Sequence, residues 1–248
     1  MSDRRATREY GAAGWIGIGT PQANPTVEME MRRLLPAEFE PLTARMTSAS
    51  ESADARLLDY IEGVERTLRT FDVLPLDAFG FACTGSSYLI GAERERTITT
   101  EAEAAFGYPV VTAAQAILEA LGSLNARRIA ILAPYPVHLI EASKSYWQAA
   151  GLQVATVRQI DLGSLDTRLI YGLGARDALA ALEGFDVLSA EALLMSGTGM
   201  PTIGAIEAAG ETMSLPVISS NSSLAWALAR RLGHEAPPYP PAIAHGMH

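Results

Sequence analysis

One cysteine, Cys83, and one lysine, Lys144, are all that the 248 residues hold of either type. A lone thiol excludes an internal disulfide and any cysteine-rich metal cage, and it fits a reducing cytoplasm. The lone lysine sits in a helix-like stretch away from the strand ends discussed below, so no anchor for pyridoxal phosphate stands near them. No cofactor and no metal are implied. Histidine is equally sparse. His234, His245 and His248 fall in a Pro-rich segment, "HEAPPYPPAIAHGMH", without ligand-like spacing, and that tail is expected to be extended and flexible. His138 reads as a surface or supporting residue. The net charge of −9 argues against a nucleic-acid partner. No apolar run reaches 18 residues, and the first residues lack an apolar stretch followed by a cleavage site, so neither a membrane span nor a signal peptide is expected.

What the chain does have is apolar residues, at 48 %, and a regular alternation of segments. Strand-like "GWIGIG", "DAFGFAC", "RRIAILA" and "ALLMSG" are followed by helix-like stretches near 25–35, 86–106, 137–150 and 201–213. Strands alternating with helices predict an α/β fold with parallel sheets.

The chain also repeats itself. "YPVVTAAQAILEAL" (108–121) resembles "LPVISSNSSLAWAL" (215–228), "WIGIGTPQ" (15–22) resembles "RIAILAPY" (128–135), and "CTG" (83–85) resembles "GTG" (197–199). The offsets are 107, 113 and 114, in one order. This predicts two related α/β halves: 1–112 together with 217–248, and 113–216. Ligands of open parallel sheets sit beyond the carboxyl ends of the strands. Facing halves would therefore gather the turns at 20–24, 83–87, 134–135 and 196–199 around one cleft, with Cys83 on one side and Gly197 in the mirror position.

In that cleft, "CTGSS" and "SGTG" read as strand-to-helix turns. Two facing helix N-termini would hold a small carboxylate on backbone amides, and the same setting would lower the Cys83 thiol pKa. Thr84, Ser86, Ser196, Thr198 and Tyr135 would add hydroxyls. "GIGTPQ" lacks G-x-G-x-x-G spacing, and Ser196 lacks a G-x-S-x-G context or a partner base, so neither a dinucleotide site nor a serine hydrolase is indicated.

The paired halves, the "ACTGSS" turn, the "TPQANPTVE" loop, the "APY" strand end and the "SGTGMPT" turn resemble the aspartate/glutamate racemase superfamily. Within it they are similar to the maleate cis-trans isomerase and arylmalonate decarboxylase branch, over residues 14–232. The resemblance implies two pseudo-symmetric Rossmann-like, flavodoxin-like halves with the active site between them. It also implies a cofactor-independent isomerase acting on a small carboxylate or dicarboxylate. A one-cysteine decarboxylase and a catalytically silent carboxylate-binding protein are the alternatives. Many relatives assemble, which allows a homo-oligomer.

Racemase-type members carry one cysteine per half, on opposite faces of the substrate. Carried over by position, Cys83 matches the N-terminal cysteine, and Gly197, flanked by Ser196, falls where the second one stands. Those three form the expected catalytic set. Asn24, Thr84, Gly85, Ser86, Tyr135, Thr198 and Gly199 form the expected substrate-binding set. Two departures mark this sequence: the second thiol is absent, the reverse of arylmalonate decarboxylase, and Ile140 stands where relatives place an asparagine after "PY".

Overall fold

In the computed structural model of the protein, residues 8–234 are described. Eight strands form two four-stranded sheets whose pairings are all parallel. The first sheet contains β1 (Gly14–Pro21), β2 (Phe39–Met46), β3 (Ala78–Phe81) and β4 (Val110–Thr112), in the order β2-β1-β3-β4. The second contains β5 (Arg128–Ala133), β6 (Gln153–Gln159), β7 (Ala192–Met195) and β8 (Val217–Ser219), in the order β6-β5-β7-β8. Both follow the flavodoxin-like winding order.

The central strands are apolar on both faces. β3 and β7 are buried along their whole lengths, as parallel strands covered by helices on both sides must be. The covering helices are α1 (Thr26–Leu34), α2 (Ala53–Glu62), α3 (Val64–Arg69), α4 (Thr84–Ile90), α5 (Ala92–Phe106), α6 (Ala113–Ser123), α7 (Val137–Ala149), α8 (Ala175–Leu182), α9 (Ile203–Thr212) and α10 (Ser220–Arg231). A short 3-10 helix spans Thr167–Gly172. The single helix expected near 86–106 is broken at Gly91, whose φ of +80° ends α4 and starts α5.

The sequence repeat matches equivalent ladder positions. Gly19 pairs with Phe81 as Leu132 pairs with Met195, and Phe81 pairs with Thr112 as Met195 pairs with Ser219. Thr112 and Ser219 each open the next helix with a reciprocal capping box, which satisfies amides that the helix start leaves unpaired. Those two helices, α6 and α10, pack on each other. α10 also returns to the first sheet, against β3 and β4. Gly80 makes room for it, since a Cβ there would lie 2.8 Å from Leu228 Cδ1. The boundary expected at 217 falls too early. Residues 217–219 pair with β7 in the second sheet, and the chain crosses back only with α10.

A buried carboxylate ties the halves together. Glu30 on α1 accepts the amides of Thr202 (2.5 Å) and Ile203 (3.1 Å) at the start of α9, and the side-chain amide of Asn221 on α10 (2.7 Å). The orphan donors of a helix N-terminus and its partial positive charge make this a favourable place for an anion. His234, expected in the tail, instead packs on the first half, with its ring edge-on to Phe39 and Nδ1 3.2 Å from Glu38. Residues 235–248 lie outside the described ones. Glu30→Ala removes the acceptor of buried donors on Thr202, Ile203 and Asn221 and is expected to lower unfolding free energy by about 3 kcal/mol. Glu30→Gln, which keeps an acceptor oxygen, should lose less. Urea denaturation of the two variants checks the order.

Candidate active site

The strand ends meet where the two sheets face each other. Thr198, two residues past Ser196, donates its hydroxyl to the Ala82 carbonyl (2.9 Å), and Asn24 Nδ2 reaches Thr198 Oγ1 (3.4 Å). Asn24 Oδ1 accepts the amides of Thr26 and Val27, which open α1. Thr26 donates to the Gly199 carbonyl at 2.8 Å. Thr84 and Tyr135 hydroxyls are 2.8 Å apart, and so are those of Tyr88 and Ser196. The four turns named from the sequence thus come together.

Cys83 is the residue before α4 and is 5 % exposed. Ser86 Oγ lies 3.2 Å from its sulfur and 2.6 Å from the Leu57 carbonyl. A hydroxyl has one proton to give. With that proton on the carbonyl, Ser86 accepts from the S–H; with it turned to sulfur, Ser86 stabilises a thiolate. Ser86 therefore supports the thiol and is tied to α2, rather than standing free for a ligand.

The expected lowering of the thiol pKa is overturned. Burial is the largest effect on Cys83 and pushes its thiol up. The Ser86 hydroxyl and the backbone amides of Ser86 and Gly85 pull it down by less. A short helix with two amides near the sulfur does not offset removal of the thiolate from water.

The second expected helix N-terminus is also not at the strand end. Residues 198–199 form a turn, α9 starts only at Ile203, and the Thr202 and Ile203 amides bond to Glu30. The amides of Thr198 and Gly199, by contrast, donate to no group among the described residues. The Gly197 amide donates to Ser220 Oγ at 3.0 Å.

Glycine is called for at two positions, by backbone conformation at one and by space at the other. Gly197 has a φ of +116°, and a Cβ there would stand 3.3 Å from the Tyr135 hydroxyl. A Cβ at Gly199 would meet the Tyr171 ring at 2.7 Å. Gly85 brings its backbone close to Leu57 and Leu139. Ile140 turns into the core at 6 % exposure.

Several residues that sequence reasoning missed surround this centre. The phenols of Tyr60 and Tyr171 lie close enough to feel charge on Cys83, and burial pushes both pKa values up. Tyr88 shares a helix face with Thr84 at i, i+4, a spacing that was available to find it. Tyr60 and Tyr171 come from segments outside the repeated units, and no local pattern marks them. Arg56, on α2, pairs with Asp166 at 2.9 Å and so bridges the halves. Beside that pair a cavity of about 340 Å³ opens between the first turns of α2 and α7, lined by Arg56, Asp54, His138, Leu165 and Asp166. It is a surface opening next to the site and does not expose the sulfur. His138 bonds Asp54 at its rim (3.0 Å), and Lys144 pairs with Glu141 on α7 (2.7 Å). Among the described residues no group of three or more His, Cys, Asp or Glu could hold a metal ion. No helix there is long and apolar enough to cross a membrane.

Comparison with known proteins places this geometry. A profile of the arylmalonate decarboxylase family matches residues 16–241. The maleate isomerase of Nocardia farcinica (strain IFM 10152) is 27 % identical over 227 residues, covering 88 % of this chain and 89 % of that protein. A cysteine-to-serine mutant of the Nocardia farcinica maleate cis-trans isomerase, with a covalently bound succinylcysteine intermediate, superposes with a TM-score of 0.79 at 24 % identity, over 89 % of this chain and 93 % of that one. A liganded double mutant of arylmalonate decarboxylase, with one glycine changed to cysteine and one cysteine to serine, gives a TM-score of 0.72 at 22 % identity, over 91 % and 97 %.

Because burial raises the Cys83 pKa, the neutral thiol persists to higher pH than in a free cysteine. The expected result is slow alkylation by iodoacetamide at pH 7–8. The rate should still be climbing at pH values where a free thiol, with a pKa near 8.5, has levelled off. A pH–rate profile followed by intact-mass spectrometry measures this.

Proposed function

The chain belongs to the arylmalonate decarboxylase family and is an isomerase or decarboxylase. On that premise we propose that it isomerises a small unsaturated dicarboxylate of the maleate type, without a cofactor, through Cys83. The observation that carries the reading is the juxtaposition of the chain's one thiol with unpaired backbone amides and a buried set of hydroxyls at facing strand ends. The relatives' name adds the substrate class, and the succinylcysteine adduct of one relative supports a sulfur that bonds to substrate carbon.

In this reading the sulfur loses its proton to water as the substrate binds, with Ser86 turning its hydroxyl onto the sulfur. The thiolate adds to one alkene carbon. The alkene's π electrons move onto the neighbouring carbon and its carboxylate, as an enediolate. The former double bond is now single and rotates. Elimination of the sulfur then returns an alkene of opposite geometry and the thiolate. The amides of Thr84, Gly85, Thr198 and Gly199 hold the carboxylates, and Tyr135 faces the charge that develops on carbon. Each preorganised donor of this kind is worth about 3 kcal/mol. Asn24 positions Thr198, and Gly197 leaves the space that Tyr135 enters. Ser196, expected in the catalytic set, shares a hydrogen bond with Tyr88 and acts through it.

A second reading is favoured by one observation: the sole thiol is held neutral by burial. A neutral thiol suits a decarboxylase. The bond to CO₂ of a malonate breaks, its electron pair remains as an enediolate, and the Cys83 S–H protonates the carbon, with water restoring the thiol proton.

Incubation with maleate and with aryl- and alkylmalonates, following fumarate and CO₂, separates the readings. Fumarate from maleate is the expected product. Cys83→Ala is expected to lower turnover by at least about 1,000-fold, in the range general for removing a nucleophile or its proton chemistry. CO₂ from malonates without fumarate replaces the isomerase by the decarboxylase. Carboxylate binding that survives Cys83→Ala, with no turnover by the unmodified protein, leaves a binding protein.

A further inference from the structure

The two halves are not equal in what they present to the cleft. The first ends β3 with a thiol, Cys83, and places Gln22 after the Pro21 that closes β1. The second ends β7 with Gly197 and places Tyr135 after the equivalent proline, Pro134. Gln22 is occupied elsewhere, accepting the Ser48 amide at 2.7 Å. The Tyr135 hydroxyl stands 3.3 Å from where a Cβ at 197 would be, beside the point from which a side chain on the second strand end would start. It is buried, as are Thr84, Tyr88 and Ser196, at 5 %, 1 %, 4 % and 0 % exposure respectively. Tyr135 bonds Thr84 and Tyr88 bonds Ser196, each at 2.8 Å. Thr84 also acts on the acidity of Tyr88, and Ser196 on that of Tyr135, so the two pairs lie against each other. The Tyr88 ring stands edge-on to that of Tyr135, with centroids 6.1 Å apart, which fixes the phenols relative to each other.

We propose that the phenol of Tyr135, backed by the hydroxyls of Thr84, Tyr88 and Ser196, moves the proton on the side of the substrate opposite Cys83, replacing the absent second thiol. The inference rests on the isomerase reading. In the addition step, sulfur bonds to one alkene carbon and the electron pair reaches the neighbouring carbon. The Tyr135 O–H bond breaks as that carbon takes the proton. The phenolate left behind is held by the Thr84 hydroxyl, whose own proton can turn to it. After rotation, the phenolate removes the proton from the same carbon, the carbon–sulfur bond breaks, and the trans product leaves with thiolate and phenol restored. No oxidant, reductant or further acid is consumed. A phenol is a weak acid, but the enediolate it protonates is a far stronger base.

Three chains and a series test this with maleate as the probe: the unmodified protein, Tyr135→Phe, Tyr88→Phe, and a set of fluorotyrosines at position 135, which change acidity while keeping shape. Tyr135→Phe is expected to lower kcat by at least about 100-fold, the scale of general acid–base catalysis, with KM within threefold. Tyr88→Phe, which touches no substrate, is expected to lower kcat about tenfold and to change the solvent isotope effect on kcat. Across the fluorotyrosines, kcat should follow phenol acidity. The proposal is overturned if Tyr135→Phe keeps kcat within twofold and only raises KM, since Tyr135 then merely binds a carboxylate. It is equally overturned if kcat is flat across the fluorotyrosines, a result that stands even if the phenylalanine variant fails to fold. If the unmodified protein forms neither fumarate nor a Cys83 adduct by intact mass, the isomerase reading itself falls, and the proposal with it.

Discussion

The hydrogen bond from Thr198 Oγ1 to the Ala82 carbonyl is where the two halves become one site. It joins the residue after Gly197 to the residue before Cys83, so the ends of β3 and β7 cannot drift apart without stranding buried polar groups. Around it, Asn24 reaches Thr198, Thr26 reaches Gly199, and Asn221 donates to both the Thr198 carbonyl and Glu30. The cleft floor is thus a continuous polar seam inside an apolar molecule. Such a seam tolerates few alternatives, because each partner removed leaves another unsatisfied.

Two opposing effects act on the one thiol, and their balance shapes the chemistry. Placement at a helix start favours the thiolate; burial opposes it more strongly. Burial also strengthens every dipole aimed at the site, since a charge formed there is poorly screened. A buried sulfur that rests as a neutral thiol is shielded from stray oxidants and alkylators. The phenols of Tyr60, Tyr135 and Tyr171 extend the same logic, because burial holds all three in their neutral, proton-bearing form.

The repeated units are legible in the amino-acid sequence. Matching short segments at offsets of 107, 113 and 114 identified β1 with β5, the end of β3 with that of β7, and β4–α6 with β8–α10, and the ladder registers agree residue for residue. They were legible because the turns at strand ends draw on few residue types. Glycine serves where the backbone is crowded, threonine and serine where a helix begins. That residues 217–219 pair with β7 is not legible, because a short edge strand carries no signal of which sheet it joins. Tyr171 and Arg56 were invisible for a related reason: they reach the site from a 3-10 turn and a peripheral helix, through contacts spanning many residues of chain.

The amino-acid sequence by itself determined the alternating architecture, the internal duplication, and the presence of a single thiol opposite a glycine. These follow from local periodicity and from residue identity, which need no third dimension. Only the tertiary structure decided that the thiol is held neutral, that the start of α9 is occupied by Glu30, and that Tyr135 fills the space beside Gly197. Each of those depends on desolvation and on distances between groups far apart in the chain, quantities that exist only once the helices have closed over the sheets.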